Sequence, residues 1–183
     1  MDAITTLRFA GFGGQGIVKT GEIFGAAAVA DGLRALQNQS YGSSARGGLC
    51  TADVVVGRGE LYELEPDRFD VLVIMSQDSC NAFCDHLHPD GKLIFEQDLV
   101  TLPQAHHEPA FGVPATQIAA SELGRRIVTN MVMLGFCAAL TGLVGRPALE
   151  RTIRGSVPKG TEQLNIKAFS EGFERGVAAG RAG

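Results

Sequence analysis

The order of predicted elements in residues 4–31 limits the possible folds more than any other segment of the chain. Residues 4–12 form a short β-prone run that ends in glycines, and residues 17–31 follow as an Ala-rich segment with apolar residues at helical spacing. The connecting letters GFGGQG place Gly11, Gly13 and Gly16 in a GxGxxG pattern. A strand, a glycine loop and a helix in this order predict an α/β fold.

The rest of the chain continues the alternation of strands and helices. Further strands are predicted at 33–36, 51–56, 70–75 and 92–95. Further helices are predicted at 76–87, 115–123, 127–143, 148–156 and 165–179. Polar or irregular connections are predicted at 37–48, 89–91 and 96–114. We therefore expect a single Rossmann-like α/β domain over 1–183, with a mostly parallel sheet and helices on both faces.

Composition agrees with this expectation and argues against one class of partner. The 183 residues are 45% hydrophobic and 20% charged, a balance that predicts one buried core. The formal net charge of -4 provides no basic field for a phosphate backbone, so no nucleic-acid partner is expected. The 24 glycines and the 7% aromatic content predict close packing of helices through small residues.

Residues 127–144 carry no charge and reach roughly the 18 residues that a membrane-spanning helix needs. The run contains Asn130 and is bracketed by arginines, so we predict a buried core helix and no membrane contact. The four cysteines are too few and too irregularly spaced for a disulfide scaffold, and the start of the chain does not read as a secretory leader. A cytoplasmic location is expected.

The glycine loop has more than one interpretation. Its amides and the positive end of the following helix favour an anionic group near residues 13–17. Alternatively, the glycines only permit a tight turn and close helix packing. A dinucleotide needs an acidic residue about 20 positions later, but residues 36–39 read LQNQ, and Asp31 fits a helix terminus better. The spacing around Lys19 also excludes a Walker loop.

A second polar loop, residues 40–48, contains Arg46 next to Gly47, with Ser43 and Ser44 just before it. A guanidinium group and free amides in such a loop suit a phosphate or a carboxylate. A solvated turn with an ordinary surface arginine is the alternative. If the first and second strands run in parallel, both loops emerge at the carboxyl edge of the sheet, where open α/β folds bind ligands.

Other polar clusters have simpler interpretations. Cys80 and Cys84 lie four residues apart, close to His86 and His88. Instead of a metal site, we expect the cysteines to be small apolar groups that face the sheet and the histidines to lie in a surface turn. No catalytic Ser, His and Asp set is recognised. Asn130 is expected to fix the apolar helix to a loop backbone rather than to contact a ligand. The apolar helix also offers a surface to another subunit if this chain does not cover it.

Several segments together resemble one family, the gamma subunits of 2-oxoacid:ferredoxin (acceptor) oxidoreductases, which include pyruvate and ketoisovalerate oxidoreductases. The similarity extends over almost the whole chain. The segments are GFGGQG, QSYGSSARGG before TADVVV, DVLVIM, VPA at 113–115, NMVMLG at 130–135 and LNIKAFSEG at 164–172.

The resemblance implies a multi-subunit enzyme that converts a 2-oxoacid and CoA to acyl-CoA and CO2. Electrons pass to ferredoxin, or to NAD through an additional flavoprotein subunit. The chain contains no GDG…NN thiamine signature and no closely spaced cysteine sets for iron–sulfur clusters. Thiamine diphosphate and 4Fe-4S clusters are therefore expected in partner alpha, beta and delta subunits. The resemblance implies no particular 2-oxoacid.

For this chain the resemblance implies a role in binding or gating CoA, with no catalytic residue and no resident redox cofactor. The residues that we predict for this role belong to the two loops. They are Gly11, Gly13, Gly14, Gln15, Gly16, Ser43, Ser44, Arg46 and Gly47. Two alternatives stay open: a purely structural assembly subunit, and a free-standing NAD(P)-binding oxidoreductase.

Overall fold

The computed structural model describes residues 4–41, 48–62, 65–103 and 109–182. Within these ranges the strands are β1 (Thr5–Phe12), β2 (Arg34–Tyr41), β3 (Leu49–Gly57), β4 (Phe69–Ile74), β5 (Leu87–Glu96) and β6 (Ala110–Val113). The α-helices are α1 (Ile17–Ala30), α2 (Gln77–Phe83), α3 (Ala115–Gln117), α4 (Thr129–Thr141), α5 (Arg146–Ser156) and α6 (Glu162–Ala182).

The strands form one sheet in the order β2-β3-β1-β4-β5-β6. Strands β1, β4, β5 and β6 pair in parallel, whereas β3 pairs antiparallel with both β1 and β2. Because β1 and β2 are both antiparallel to β3, they point in the same direction, and their carboxyl ends lie at one edge. The predicted mostly parallel α/β sheet is confirmed, although β2 and β3 are joined as a hairpin and not through a crossover helix.

Strand β2 corrects the prediction for residues 37–48, which were expected to form a loop after a strand at 33–36. The strand extends to Tyr41 because its polar half pairs with β3, with Asn38 opposite Asp53 and Ser40 opposite Thr51. An edge strand exposes much of its surface, so a polar segment is stable there. The polar composition was therefore wrongly interpreted as a loop.

The other strand bounds also differ from the prediction. Strand β3 is longer than the predicted 51–56, and β6 forms inside the segment 96–114 that was expected to be irregular. The predicted turn at 89–91 lies inside β5, where the pairing register shifts between Phe69–Leu87 and Val71–Lys92. Proline and glycine therefore mark a bulge in the strand at this point rather than its end.

Helices cover both faces of the sheet, but the core on one face is larger than the core on the other. Side chains of β1 point alternately into the two cores. Leu7 and Phe9 belong to the larger core, which α1, α4 and α6 complete. Ala10 belongs to a smaller core on the opposite face, which includes Cys80 of α2. Helices on both faces, as predicted, are confirmed.

The uncharged segment 127–144 forms α4, and α6 of the same chain packs along it. Gly172 faces the backbone of Val132, and Gly176 faces that of Phe136, so closely that a Cβ atom at either glycine would overlap the opposite helix. The predicted small-residue helix packing is confirmed, and the expected buried core helix is α4. Among the described residues no helix combines the length and the apolar character needed to cross a membrane.

The predicted helix ends need adjustment around α4. The expected helix 115–123 is one turn of α3 followed by a π-helical turn over Ile118–Glu122, and the expected helix 127–143 starts with a 3-10 turn over Arg126–Val128. The expected helix 76–87 is α2 followed by a 3-10 turn over Cys84–His86. Asp31 caps α1 as expected, and its carboxylate also accepts a hydrogen bond of 2.6 Å from the amide of Gly145.

Candidate ligand site at the carboxyl edge of the sheet

The candidate site is a crevice between the carboxyl ends of β1 and β4. The chain leaves β1 for α1 on one face of the sheet and leaves β4 for α2 on the other face. Connections that diverge in this way open a crevice between neighbouring parallel strands, and open α/β sheets bind ligands at this point. The two strands stay joined at the crevice, where the amide of Met75 donates to the carbonyl of Ala10 at 2.8 Å.

The predicted glycine loop lies at this crevice. Gly14 and Gly16 have φ angles of 95° and 77°, in the left-handed region that favours glycine. No atom lies within 4 Å of the position that a Cβ of Gly14 would occupy, whereas a Cβ of Gly16 would overlap the side chain of Asn130. Gly14 is therefore open to a ligand, while Gly16 is closed by α4.

The two predicted loops meet at the same edge. The amide of Gly13 donates to the carbonyl of Gly48 at 3.0 Å, so the chain leaving β1 lies beside the chain entering β3. Ser43, Ser44, Arg46 and Gly47 lie outside the described residues. The expectation that both loops emerge at the carboxyl edge agrees with the direction of β1 and β2.

Gln15 connects the loop to both strands of the crevice. Its Oε1 atom accepts a hydrogen bond of 2.7 Å from the amide of Phe12, and its Nε2 atom donates to the carbonyl of Met75 at 3.0 Å. Gly11 provides the room, because a Cβ there would overlap Oε1 of Gln15. The Gln15 side chain thus holds the crevice at a set width.

The amino terminus of α1 faces the loop. The first helical hydrogen bond runs from the amide of Thr20 to the carbonyl of Gly16 at 3.0 Å. The preceding amides of Ile17, Val18 and Lys19 have no partner inside the helix, and the helix dipole makes this end positive. The first turn contains no acidic residue that would neutralise it.

Two cavities at the crevice share Gly14 and Ile127 among their lining residues. The first, the strand-side cavity, has a volume of about 330 Å³ and is lined by Gly14, Gln15, Met75, Leu99, Thr116, Arg126, Ile127 and Thr129. The second, the helix-side cavity, has a volume of about 300 Å³. It is lined by Gly14, Gly16, Lys19, Ile127, Val128, Asn130, Met131, Ser156, Val157, Pro158, Thr161, Leu164 and Asn165.

A buried carboxyl group supports the wall of the strand-side cavity. Glu96, at the end of β5, accepts hydrogen bonds from the Thr116 hydroxyl at 2.8 Å and from the Asp98 amide at 3.3 Å. Burial raises the pKa of the Glu96 carboxyl above its usual range, and the Thr116 hydrogen bond opposes that shift. The contact fixes Thr116, and with it the first turn of α3, at the edge of the site.

Asn130 confirms the structural role predicted for it. Its side chain is buried, and its Nδ2 atom donates to the carbonyl of Gly16 at 3.4 Å. The apolar helix is thereby attached to the backbone of the glycine loop. Because Asn130 also lines the helix-side cavity, the contact with the loop places its side chain next to the candidate site.

The sequence did not reveal two cations of the site. Lys19 was considered only for a Walker loop, and Arg126 only as a residue that flanks an uncharged segment. Lys19 lies in the first turn of α1, and Arg126 lies in the 3-10 turn before α4. The position of Arg126 directly before the charge-free run was the available signal, but only the fold brings this residue to the glycine loop.

The cysteines were the residues considered for a metal site. Among the described residues no group of three or more His, Cys, Asp or Glu side chains is placed to hold an ion. Cys80 and Cys84 have sulfur atoms 2.9 Å apart, and burial raises the pKa of the Cys84 thiol. Burial also raises the pKa of Cys137 to about 12. Iron–sulfur clusters bind several thiolates, so these cysteines do not fit such a cluster.

The fold and the site together define a class: an α/β subunit with a ligand crevice at the carboxyl edge of its sheet. Residues 6–175 match the family described as pyruvate ferredoxin/flavodoxin oxidoreductase. The chain belongs to this family, as a gamma subunit of the 2-oxoacid:ferredoxin oxidoreductases. The resemblance found in the sequence is thereby confirmed, and the chain is a subunit of an enzyme complex.

Similar proteins agree on this family. The chain is 39% identical over 171 residues to the 2-oxoglutarate synthase subunit KorC of Methanocaldococcus jannaschii, which covers 92% of this chain and 91% of that protein. It is 41% identical to the subunit of the same name from Methanothermobacter marburgensis, over 92% of this chain and 94% of that protein. The crystal structure of a keto/oxoacid ferredoxin oxidoreductase gamma subunit from Geobacter sulfurreducens superposes with a TM-score of 0.88 at 36% identity, covering 97% of this chain and 98% of that one.

Proposed function

We propose that this subunit binds CoA at the carboxyl edge of its sheet and controls its access to the active site of the complex. The complex would convert a 2-oxoacid, CoA and two oxidised ferredoxins to acyl-CoA, CO2, two reduced ferredoxins and one proton. The bond between the keto carbon and the carboxylate breaks, a carbon–sulfur bond to CoA forms, and two electrons leave. This chain contributes binding and orientation of CoA to that reaction, and no catalytic residue.

The observation that carries the proposal is the open backbone at Gly14. Its φ angle of 95° lies in the left-handed region, and the space beside its Cα is empty. A phosphate group fits such a place next to the amino terminus of α1, because backbone amides and the positive end of a helix stabilise negative charge. Gly11, Gly13, Gln15 and Gly16 hold the loop in this shape.

The charges around the site support an anionic ligand. Among the described residues that line the two cavities, the charged side chains are Lys19 and Arg126, both cationic. Lys19 forms an ion pair with Glu22 on the surface of α1, and the whole chain has a formal net charge of -4. Arg46, Ser43, Ser44 and Gly47 are proposed to add a guanidinium group, hydroxyls and an amide from the second loop.

The redox cofactors belong to the partners in this proposal. Thiamine diphosphate and 4Fe-4S clusters are assigned to alpha, beta and delta subunits, and electrons leave to ferredoxin or, in complexes with a flavoprotein subunit, to NAD. The cysteines of this chain support that division, since three of them are buried and no cluster-forming set exists among the described residues. A cytoplasmic location belongs to the same proposal.

We propose 2-oxoglutarate as the 2-oxoacid. Both archaeal relatives reported above carry the name 2-oxoglutarate synthase subunit. The test uses the complex purified from its native host with 2-oxoglutarate, pyruvate, 2-oxoisovalerate and indolepyruvate as alternative substrates. The highest kcat/KM is expected with 2-oxoglutarate, and a higher value with another 2-oxoacid overturns the assignment.

Binding of CoA is tested with Arg46→Ala and Lys19→Ala in the assembled enzyme. Loss of one charged contact to a phosphate is expected to raise the KM for CoA by about ten- to hundredfold, since a charge-assisted hydrogen bond contributes about 1.5–3 kcal/mol. Arg58→Ala is the matched control, because Arg58 is exposed just after β3, at the opposite edge of the sheet. If KM for CoA and turnover are unchanged in both site variants, the subunit has a structural role instead.

A further inference from the structure

A third cavity, the hairpin-side cavity, lies against the β2–β3 hairpin on the face of the sheet opposite α1. Its volume is about 350 Å³, and it is lined by side chains of β1, β2 and β3, by residues 65–67 and by His86. Helix α1 packs against β2 and β3 on the other face, where the larger core lies. The cavity side of the hairpin is therefore open to another molecule.

An ion pair forms the floor of the hairpin-side cavity. The Nε and Nη2 atoms of Arg8 donate to the two carboxylate oxygens of Asp53, each at 2.7 Å. The guanidinium group of Arg8 also lies 4.3 Å from the ring centre of Phe69 and 4.8 Å from that of Phe83. These contacts hold the guanidinium group in place. Because Arg8 and Asp53 neutralise each other, the floor adds no net charge to the cavity.

The rim of the cavity carries two exposed carboxylates, Glu65 and Asp67. The Oε1 atom of Glu65 accepts a hydrogen bond of 3.0 Å from Nδ2 of Asn38, which holds Glu65 beside β2. Arg68 follows Asp67 in the chain, but its Nη1 atom donates to the carbonyl of Leu87 at 2.9 Å. With a neutral ion pair at the floor, the two rim carboxylates make the cavity attractive to a cation.

A buried hydroxyl group in the same cavity is a second sign of a ligand. Thr51 is 7% exposed, and among the described residues its Oγ1 atom has no hydrogen-bond partner. Thr51 and Asp53 lie two residues apart in β3, so both side chains are on the cavity side of the sheet. Most buried polar side chains in proteins have a hydrogen-bond partner, and each exception needs a physical reason. A ligand that donates a hydrogen bond to Thr51 accounts for this exception.

The acceptors of the cavity define the chemistry of that ligand. Two carboxylates and one hydroxyl group suit a cation with several N–H donors, and a guanidinium group has five donors in a planar fork. A directly bound metal ion is not supported, because among the described residues no three His, Cys, Asp or Glu side chains are placed to hold one. The cavity therefore suits the side chain of an arginine.

We propose that the hairpin-side cavity receives an arginine side chain of a partner subunit, with Glu65, Asp67 and Thr51 as its acceptors. Charge complementarity identifies the occupant, because a negatively charged cavity on an open sheet face takes up a cationic side chain. The chain is a subunit of an enzyme complex, so other subunits cover part of its surface. The inference does not depend on where CoA binds.

The rim is tested with the double variant Glu65→Gln and Asp67→Asn, which removes both charges and keeps the size of both side chains. The fluorescently labelled full chain is titrated with the remaining subunits of the complex, and fluorescence anisotropy gives the Kd. The Kd is expected to rise about tenfold at low salt, the effect of losing charged contacts across an interface. The difference from the unmodified chain should shrink as salt is added, because ions screen exposed charges.

The control for the rim is the double variant Asp90→Asn and Glu174→Gln. It changes the net charge by the same amount, at exposed positions of β5 and α6. Its Kd is expected to stay within about twofold of the unmodified value. If the rim variant and this control have the same Kd, the inference is overturned.

The buried hydroxyl group is tested with Thr51→Val, which keeps the shape of the side chain and suits a strand. Loss of one hydrogen bond is expected to raise the Kd about three- to tenfold. Thr5→Val is the control, because Thr5 lies in β1 on the same face as Leu7, which belongs to the larger core on the opposite side of the sheet. An equal Kd for Thr51→Val and Thr5→Val contradicts the assignment of Thr51 as an acceptor.

The identity of the occupant is tested by photo-cross-linking of the assembled complex. The substitution Asp67→p-benzoylphenylalanine is expected to give a cross-link to a different subunit, in a peptide that contains arginine. The same substitution at Asp90 is the control and should not give that peptide. A cross-link only within this chain or to a second copy of it, a peptide without arginine, or no cross-link overturns the inference.

Discussion

The glycines of the loop after β1 and the glycines between α4 and α6 differ in backbone conformation and in surroundings. Gly14 has a left-handed backbone and empty space beside it, whereas Gly172 lies within a helix and faces the backbone of Val132 without room for a Cβ. Gly16 combines both conditions, because its φ angle is 77° and Asn130 fills the adjoining space.

The difference separates a binding role from a packing role. Where the space beside a glycine is filled by the chain itself, a methyl group destabilises the fold. Where the space is empty, a methyl group strains only the local backbone, and any larger effect must arise from a ligand. Three glycine substitutions test this distinction, from the largest expected effect to the smallest, and a fourth substitution tests a buried carboxyl group at the edge of the site.

The largest effect is expected from Gly172→Ala. The new methyl group would overlap the carbonyl of Val132, so α6 must move away from α4, and the free energy of unfolding should fall by roughly 3 kcal/mol. Urea unfolding followed by circular dichroism measures the change. Gly180→Ala in the same helix is the control, because its nearest described neighbour is Leu140 at 3.6 Å. That variant should be unchanged or slightly more stable.

Gly16→Ala is expected to lower the free energy of unfolding by about 2 kcal/mol, from a left-handed backbone and from displacement of Asn130. A double-mutant cycle with Asn130→Ala separates these causes, because the shortened side chain relieves part of the overlap. If the two substitutions are additive, the contact between Gly16 and Asn130 does not limit the packing of this loop.

Gly14→Ala is expected to lower the free energy of unfolding by about 1 kcal/mol, from backbone strain alone. Gly32→Ala is a close match, since Gly32 has a φ angle of 86°, equally empty surroundings and a position at the far end of α1. Equal losses of stability are expected in the two variants, with a raised KM for CoA only in Gly14→Ala. An equal KM in both would show that the open space at Gly14 is not used for binding.

The smallest effect concerns the buried carboxyl at the edge of the site. Burial raises the pKa of Glu96 above its usual value of 4.5, so this group stabilises the fold fully below about pH 4.5. The contribution is lost as the pH rises through the higher pKa of the folded state. The stability of the unmodified protein relative to Glu96→Gln should therefore fall from pH 4 towards neutral pH. A pH-independent difference would contradict the shifted pKa.

The sequence was a good guide where a local pattern determines the structure. The alternation in residues 4–31 predicted β1 and α1 closely, and the continuous apolar run at 70–75 predicted β4. The prediction was wrong for β2, because the pairing of Asn38 with Asp53 depends on a partner strand and not on local composition. Arg126 and Thr116 could not be predicted as site residues either, because they are far from the glycine loop in the sequence. Only the packing of α3 and α4 brings them to the crevice.

The close seam between α4 and α6 has a consequence for how the protein is made. During synthesis α4 emerges from the ribosome before α6, so the side of α4 that α6 covers in the folded protein stays exposed until the later helix arrives. A nascent chain at that stage exposes an uncharged helix that is prone to aggregate or to bind a chaperone. Docking of α6 onto α4 ends this exposure, so the time that passes before docking sets how long α4 is at risk of aggregation.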